Sequence, residues 1–419
     1  MNLLQELKWR GLVFDIINEE ELEKRLEEKP ITLYCGFDPT ADSLHIGSLL
    51  PIVTLMRFYR AGHRVIALTG GGTGLIGDPS GKRNERQMNE IETVHKWGAL
   101  FKKQFARFLV FDGERAFCLD NYEWLSKLSA ITMWREYGRH FNINQMLAKE
   151  SVKSRLENGL TYLEFSYMIM QSIDFLHMYQ DATLHCEMQI GGQDQWGNIT
   201  AGMDLIRKVE GSEAKAFGLT LPLITKSDGT KFGKTESGAV WLDEDKTTPY
   251  EMYQFFINTA DSDVIRFLKY YTFLTVEQIS QLEQKVKNEP HLREAQKVLA
   301  KEIVCLVHGE EAYNQAIKMS EALFSGQIGS LNAKEISVGF SDVPSVSISE
   351  DLNLIDALVL TKAASSKREA RELISNKAIS VNGEIVSDLT FIITKRSAID
   401  HQFTVIRRGK KNYYLIKHQ

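Results

Sequence analysis

At 419 residues, with 43% hydrophobic and 25% charged residues and only 8 prolines, the chain has the composition of an ordered globular protein too long for one compact fold, which excludes a disordered or fibrous class. A formal net charge of -5 and a sequence pI near 6.1 argue against a dedicated nucleic-acid binder. The four cysteines, Cys35, Cys118, Cys186 and Cys305, lack the paired spacing of a zinc site or a disulfide framework, and no segment stays apolar long enough to span a bilayer.

Met1 to Arg10 alternates apolar and charged residues and Glu19 to Lys29 is densely charged, so no signal peptide is expected and the reducing cytoplasm is the expected compartment. The first clear unit is an apolar run, Ile31 to Phe37, then a loop, then a helical stretch from Gly47 to Arg60 that Gly62 is placed to end. Pro51 is expected in that helix's first turn, where a missing N–H is tolerated. A second apolar run, His63 to Thr69, opens into Gly70-Gly71-Gly72-Thr73-Gly74. Strand, helix, strand and glycine loop in this order predict a Rossmann-like parallel α/β sheet.

On the stretch Thr161 to Tyr179, Tyr167, Gln171 and Asp174 fall at i, i+4 and i+7, one polar stripe among Phe165, Met168, Ile169, Met170, Ile173, Phe175 and Leu176. A helix apolar on most sides is buried, so the stripe is expected to face a cavity. A further strand is expected at Leu184 to Ile190, then the loop Gly191 to Gly197 and a helix with Asn198 as its N-cap. After Thr248 the chain reads as helices over 249–258, 262–271, 276–288, 290–308 and 310–325, followed by a Gly- and Ser-richer linker over 326–350.

The tail, 351–419, carries twelve Lys or Arg against seven Asp or Glu, which leaves about -10 for the rest of the chain. Two helices, over 352–361 and 366–375, precede a hairpin centred on Asn382-Gly383 and a second one joining Phe403–Arg407 to Tyr413–Lys417. The expected organisation is a catalytic domain over 1–225, a loop segment over 226–247, a helical domain over 248–325, the linker, and a small basic α/β domain over 351–419.

Two motifs suggest chemistry. Pro39 to Ser48, with His45-Ile46-Gly47, lies between a strand's carboxyl end and a helix N-terminus, where open α/β sheets bind phosphates. His45 would supply a donor there, and Gly47 would let a flat base approach the backbone. Lys231-Phe232-Gly233-Lys234-Thr235 sets two lysines three apart in a glycine-containing loop that could neutralise charge on a leaving pyrophosphate. Each alone is ordinary: His45 could cap a turn, and a Lys-rich loop is usually solvated surface.

Together, in this order and about 185 residues apart, they resemble the paired signatures of class I aminoacyl-tRNA synthetases. Lys-Phe-Gly-Lys-Thr itself, the run Gly77-Asp78-Pro79-Ser80-Gly81-Lys82 and the run Gly191-Gly192-Gln193-Asp194-Gln195-Trp196-Gly197-Asn198 make the whole chain most similar to the bacterial tyrosyl-tRNA synthetases. Ser48 departs from the pattern, which often has a second histidine or an asparagine there.

The resemblance implies a tyrosine–tRNA ligase that forms tyrosyl-adenylate from ATP and then charges tRNA(Tyr). Tyr34 and Asp174 would meet the phenolic hydroxyl of tyrosine. Asp78, Tyr167 and Gln171 would hold its ammonium group, with Gln193 nearby. Asp38, Thr40, His45, Gly47, Asp194, Gln195 and Lys234 would bind ATP, and Thr40, His45, Lys231, Lys234 and Thr235 would stabilise the transition state. ATP enters as substrate with Mg2+ on its triphosphate, with no organic cofactor and no protein metal site. The resemblance also implies an S4-like fold for the tail, tRNA contacts from Arg207, Lys208, Lys367, Arg368, Arg371, Arg407, Arg408, Lys410 and Lys411, a homodimer for which apolar residues over 131–146 could serve, and no membrane partner.

Two other readings are weaker. Gly72-Thr73-Gly74-Leu75-Ile76-Gly77 matches a dinucleotide fingerprint, but Asp78-Pro79-Ser80-Gly81 prevents the helix it should open, and Gly81-Lys82-Arg83 fails as a P-loop. A non-catalytic RNA-binding protein of the same fold would have little reason to keep both signature lysines.

Overall fold

A computed structural model describes residues 1–80, 88–156, 159–227, 229–230, 232–235, 238–340, 343–409 and 412–419, with only the backbone of Ser151, Ser154, Lys234 and Thr235. Lys82, Lys231, Lys410 and Lys411 lie outside the described residues.

Two units emerge, one of residues 1–247 and 256–307, the other of 248–255 and 308–419. The first is built on a five-stranded sheet of β1 (Thr32–Phe37), β2 (Arg64–Thr69), β3 (Ala116–Asp120), β4 (Cys186–Gly192) and β5 (Phe217–Leu221), in the order β3-β2-β1-β4-β5 and parallel throughout. Every residue of β2 except Arg64 and every residue of β5 is buried, as expected for strands covered on both faces. The strand order reverses between β1 and β4, so their carboxyl ends diverge there and leave a crevice.

The principal helices of this unit are α1 (Leu3–Trp9), α2 (Ile46–Arg60), α3 (Ile91–Phe105), α4 (Tyr162–Gln180) and α5 (Trp196–Glu210). After α6 (Pro249–Ile257), of which residues 249–255 belong to the second unit, come α7 (Asp261–Tyr271), α8 (Val276–Asn288) and α9 (Glu294–His308). α4 is buried on most sides: Met168, Ile173, Phe175, Leu176 and Met178 join a core with Tyr34, Ile66 and Leu68.

Two local expectations change. α2 starts at Ile46, so Pro51 falls in its second turn, where it leaves the Gly47 carbonyl without an N–H donor from that position. α5 starts at Trp196 with Gln195 as N-cap, because a short 3-10 turn over Gln193–Gln195 leads straight into it. Asn198 is therefore inside the helix, its side chain turned to Gln171 and Gln195.

In the second unit, α10 (Glu310–Ser325) and α11 (Ala333–Gly339) precede a mixed sheet containing β8 (Ser345–Ile348), with α12 (Leu354–Leu360) and α13 (Lys367–Ser375) between its strands. Asn382 and Gly383, at φ 50° and 94°, make the tight turn of the first hairpin, and Phe403–Arg408 pairs antiparallel with Asn412–His418. The stretch expected to be a linker, 326–350, holds α11 and β8 and buries Ile328, Leu331, Ile336 and Phe340 with Val405 and Leu415, since its apolar residues are spaced to cover that sheet.

Candidate active site

A cavity of about 730 Å3 opens at the carboxyl ends of β1 and β4. Its wall includes Tyr34, Asp38, Thr40, His45, Gly47, Asp78, Tyr167, Gln171, Asp174, Asp194 and Gln195. The polar stripe of α4 thus meets the His45 segment, although more than a hundred residues separate them. Gln193 is not among the lining residues.

The buried end is organised around Asp174, 2% exposed, whose Oδ1 accepts from Trp124 Nε1 at 2.7 Å and Oδ2 from Asn121 Nδ2 at 2.8 Å. Burial pushes its pKa up to about 8, against the lowering effect of these two donors. The Tyr34 hydroxyl, also on the wall, is buried without a hydrogen-bond partner among the described residues, and burial followed by the nearby Asp174 charge raises its pKa well above the ordinary value. Gln189 Oε1, on this wall, is another buried acceptor without a partner among the described residues. Orphaned groups of this kind are what a polar ligand would complete.

Beside this end, the Tyr167 hydroxyl donates to Asp38 Oδ2 at 2.7 Å, and Thr73 Oγ1 donates to Asp38 Oδ1 at 2.7 Å. Asn121 Nδ2 also donates to Thr73 Oγ1 at 2.9 Å, so one network runs from Asp174 to Tyr167. A second joins Asp78 to Gln195 Nε2 at 2.6 Å and carries on through Asn198 Nδ2 to Gln171 Oε1 at 3.1 Å. The carboxylates of Asp38 and Asp78 make this end acidic, suited to an ammonium group.

At the open end His45 is exposed and acts as N-cap of α2, its Nδ1 accepting from the Gly47 N–H at 3.0 Å. An accepting Nδ1 places the proton of the neutral ring on Nε2, which is then a donor. The cap needs Gly47, since an added Cβ would lie 2.8 Å from the His45 ring. Thr40 is exposed on the same wall. Burial, then Asp194, pushes the Cys35 thiol up to about 12, so it stays protonated.

The second signature is brought to the first by backbone pairing. Ile46 N–H donates to Val240 O at 2.8 Å and Leu242 N–H to Leu44 O at 2.8 Å, just beyond the hairpin of β6 (Lys234–Thr235) and β7 (Gly238–Ala239). Gly233, at φ 80°, packs so closely on Ile46 that an added Cβ would collide with its Cγ2. Among the described residues no group of three or more His, Cys, Asp or Glu could hold a metal ion, and no helix is long and apolar enough to cross a membrane.

The basic candidates are dispersed. Arg207 and Lys208 both pair with Asp204 on α5, at 2.7 and 2.6 Å. In the second unit Lys367 pairs with Asp356 at 2.5 Å, while Arg368 and Arg371 are exposed on α13. Arg408 donates to Ala363 O at 2.6 Å and pairs with Glu369 at 3.0 Å, and the Arg407 guanidinium lies against Gly326.

Asn121, Trp124, Thr73 and Gln189 join the site without a signal in the sequence that singles them out. Asn121 caps and Trp124 lies in a one-turn helix, Tyr122–Leu125, that no motif marks, and Gln189 is one of two polar residues, with Glu187, in a buried strand.

A parallel sheet with the ligand crevice at its strand reversal, a histidine-capped helix and a lysine hairpin paired beside it define a class I synthetase architecture. The chain belongs to the family described as tRNA synthetases class I (W and Y), whose model matches residues 26–325. Residues 335–416 match a second model, a tyrosine–tRNA ligase SYY-like C-terminal domain. The chain is 59% identical to a tyrosine–tRNA ligase of Bacillus caldotenax and 54% identical to tyrosine–tRNA ligase 1 of Bacillus subtilis, in each case over 100% of both chains. Its fold is similar to that of a C-terminally truncated mitochondrial tyrosyl-tRNA synthetase of Aspergillus nidulans, with a TM-score of 0.68, 31% identity, and coverage of 77% of this chain and 94% of that one.

Proposed function

We infer that this chain is an ATP-dependent tyrosine–tRNA ligase, which activates tyrosine as its adenylate and transfers it to tRNA. The observation that carries the choice of tyrosine is the pair at the buried end of the cavity: a Tyr34 hydroxyl without a partner among the described residues, near the buried Asp174 carboxyl. A phenol entering there gives the Tyr34 hydroxyl the partner it lacks and adds one to Asp174, already held by Trp124 and Asn121, whereas phenylalanine leaves the Tyr34 hydroxyl buried and unpaired. Full-length identity of 59% and 54% to tyrosine–tRNA ligases supports the same choice.

In this reading the ammonium group of tyrosine lies among Asp78, Tyr167 and Gln171, and its carboxylate points toward the α-phosphate. The carboxylate is itself the nucleophile: its oxygen forms a bond to the α-phosphorus as the bond to pyrophosphate breaks. No protein nucleophile is needed, so positioning and charge neutralisation carry the rate. His45 Nε2–H and Thr40 offer donors from one side, and Lys231, Lys234 and Thr235 serve the leaving pyrophosphate from the other. Gln195 and Asp194 line the way to the ribose. Magnesium would arrive bound to the triphosphate of ATP.

The second unit, matching the C-terminal domain of tyrosine–tRNA ligases, would hold tRNA phosphates through Arg368 and Arg371 of α13, with Lys367, Arg407, Arg408, Lys410 and Lys411 beside them. Arg207 and Lys208 would meet tRNA on the first unit. The protein is proposed to work in the cytoplasm as a homodimer, through an apolar surface where Ile131, Trp134, Ile143 and Tyr162 are 72%, 56%, 64% and 64% exposed. Charging of tRNA with labelled tyrosine, with tryptophan offered in parallel, tests the reading: tyrosine alone should be transferred, and transfer of tryptophan or of neither would reject it.

A further inference from the structure

The lysine segment is gripped at its stem by one helix, α7. In the first turn of α7, Asp263 is only 3% exposed and accepts from the Ser227 N–H at 3.1 Å on both carboxylate oxygens and from Ser227 Oγ at 3.1 Å. One turn on, Arg266 pairs with Asp263 at 2.6 Å and donates to Thr225 O at 2.6 Å. Residues 225 and 227, just before the signature, are therefore both tied to α7. Within the signature, Phe232 packs against α7 again, its ring centroid 4.5 Å from Phe267 and 5.9 Å from Tyr271, and 6.1 Å from Phe256.

The opposite end of α7 is tied to the helix that starts at the first signature. Arg57, in the last turn of α2, donates to Thr272 O at 2.5 Å, and Arg10 donates to Thr272 O at 3.2 Å and Leu274 O at 2.8 Å. Burial, then the neighbouring Arg10 charge, lowers Arg57 to about 9. Two buried guanidiniums side by side are tolerable because they face the carbonyl end of a helix and share Glu6. α7 thus bridges the end of α2 and the stem of the lysine segment, while the start of α2 pairs with 240–242 just beyond that segment.

We propose that Asp263 is a positioning residue for the activation step: through Ser227, and braced by Arg266, it fixes the stem of the segment that carries Lys231 and Lys234. This rests on the reading that the cavity activates tyrosine with ATP. Asp263 is not on the cavity wall, so it acts only through the chain it holds. Charge stabilisation of a departing pyrophosphate depends on donors already in place, and a loosened stem forfeits that order. Tyrosine, bound at the far end, is indifferent to it.

The test is single-turnover adenylate formation by the full chain at saturating tyrosine and ATP, with tyrosine affinity and thermal unfolding measured alongside. Asp263→Ala should slow adenylate formation roughly tenfold or more, the equivalent of one lost charge-assisted hydrogen bond, while tyrosine Kd stays within about twofold. Asp263→Asn, which keeps one acceptor oxygen, should recover part of the rate. Ser227→Ala should slow the step by a smaller factor and add nothing in the Asp263→Ala background. An unchanged rate in Asp263→Ala, or a loss of tyrosine affinity parallel to the loss of rate, overturns the proposal. If Asp263→Ala does not fold, unchanged rates in both Ser227→Ala and Arg266→Met overturn it. Wild-type protein that forms no adenylate from tyrosine rejects the functional reading instead, so the two failures are distinct.

Discussion

The Tyr167 hydroxyl donates to Asp38 at 2.7 Å, and the other oxygen of that carboxylate accepts from Thr73. Asp38 is thus committed to holding Tyr167, and its effect is expected on the amino-acid side of the cavity more than on ATP. Asp38→Ala should raise tyrosine Kd by roughly tenfold or more, the usual cost of a lost bond to a charged acceptor, with a smaller change in the KM for ATP. Titration with tyrosine and steady-state kinetics in ATP check this; the opposite split would return Asp38 to the nucleotide.

Specificity is expected to rest on Tyr34 and Asp174. Tyr34→Phe and Asp174→Asn should both lower the kcat/KM preference for tyrosine over phenylalanine. Asp174→Asn should be the more damaging, because it also turns an amide N–H toward Trp124 or Asn121, both donors to the native carboxylate. Competition between the two amino acids in adenylate formation measures this, and unaltered preference in both variants would move the pocket elsewhere.

Asp174 also gives stability a pH dependence. Its folded pKa, about 8, lies above the ordinary 3.8, so folding favours the protonated form. The stability it contributes is fully present below about 3.8 and is lost progressively as pH rises to about 8. Thermal unfolding of wild type and Asp174→Asn across this range should show the wild type losing ground to the variant as pH rises. Parallel curves would mean that folding leaves the Asp174 pKa at its ordinary value.

In the second unit the basic residues divide by what already holds them. Arg368→Glu with Arg371→Glu should weaken tRNA binding and flatten its salt dependence without changing the unfolding temperature, since both side chains are exposed. Arg408→Glu should also destabilise the unit, because it breaks the ties to Ala363 and Glu369. Equal effects on stability from the two sets would contradict this division.

Much of the site was legible because its spacing is local. Tyr167, Gln171 and Asp174 share a stripe at helical intervals, and the strand–loop–helix pattern around His45 places it at a sheet's carboxyl edge whatever the rest of the fold. The partners that orient these groups were not legible. Asn121 and Trp124 reach Asp174 from about fifty residues away, and only the packing of β3 beside β2 brings them there. The Asn198 N-cap failed for a similar reason: Gln193–Gln195 already forms a turn, and the asparagine amide serves Gln171 and Gln195 instead. Asp263 carries no motif at all. Its role exists only because α7 lies beside a segment 36 residues earlier in the chain.

The most direct test of the account is amino-acid-dependent exchange of labelled pyrophosphate into ATP by the full chain, with tyrosine, phenylalanine and tryptophan offered separately. The cavity predicts rapid exchange with tyrosine, little with the other two, and a steep loss with tyrosine when Lys234→Ala or His45→Ala is introduced while tyrosine still binds. Equal exchange with phenylalanine, or none with tyrosine, would contradict it.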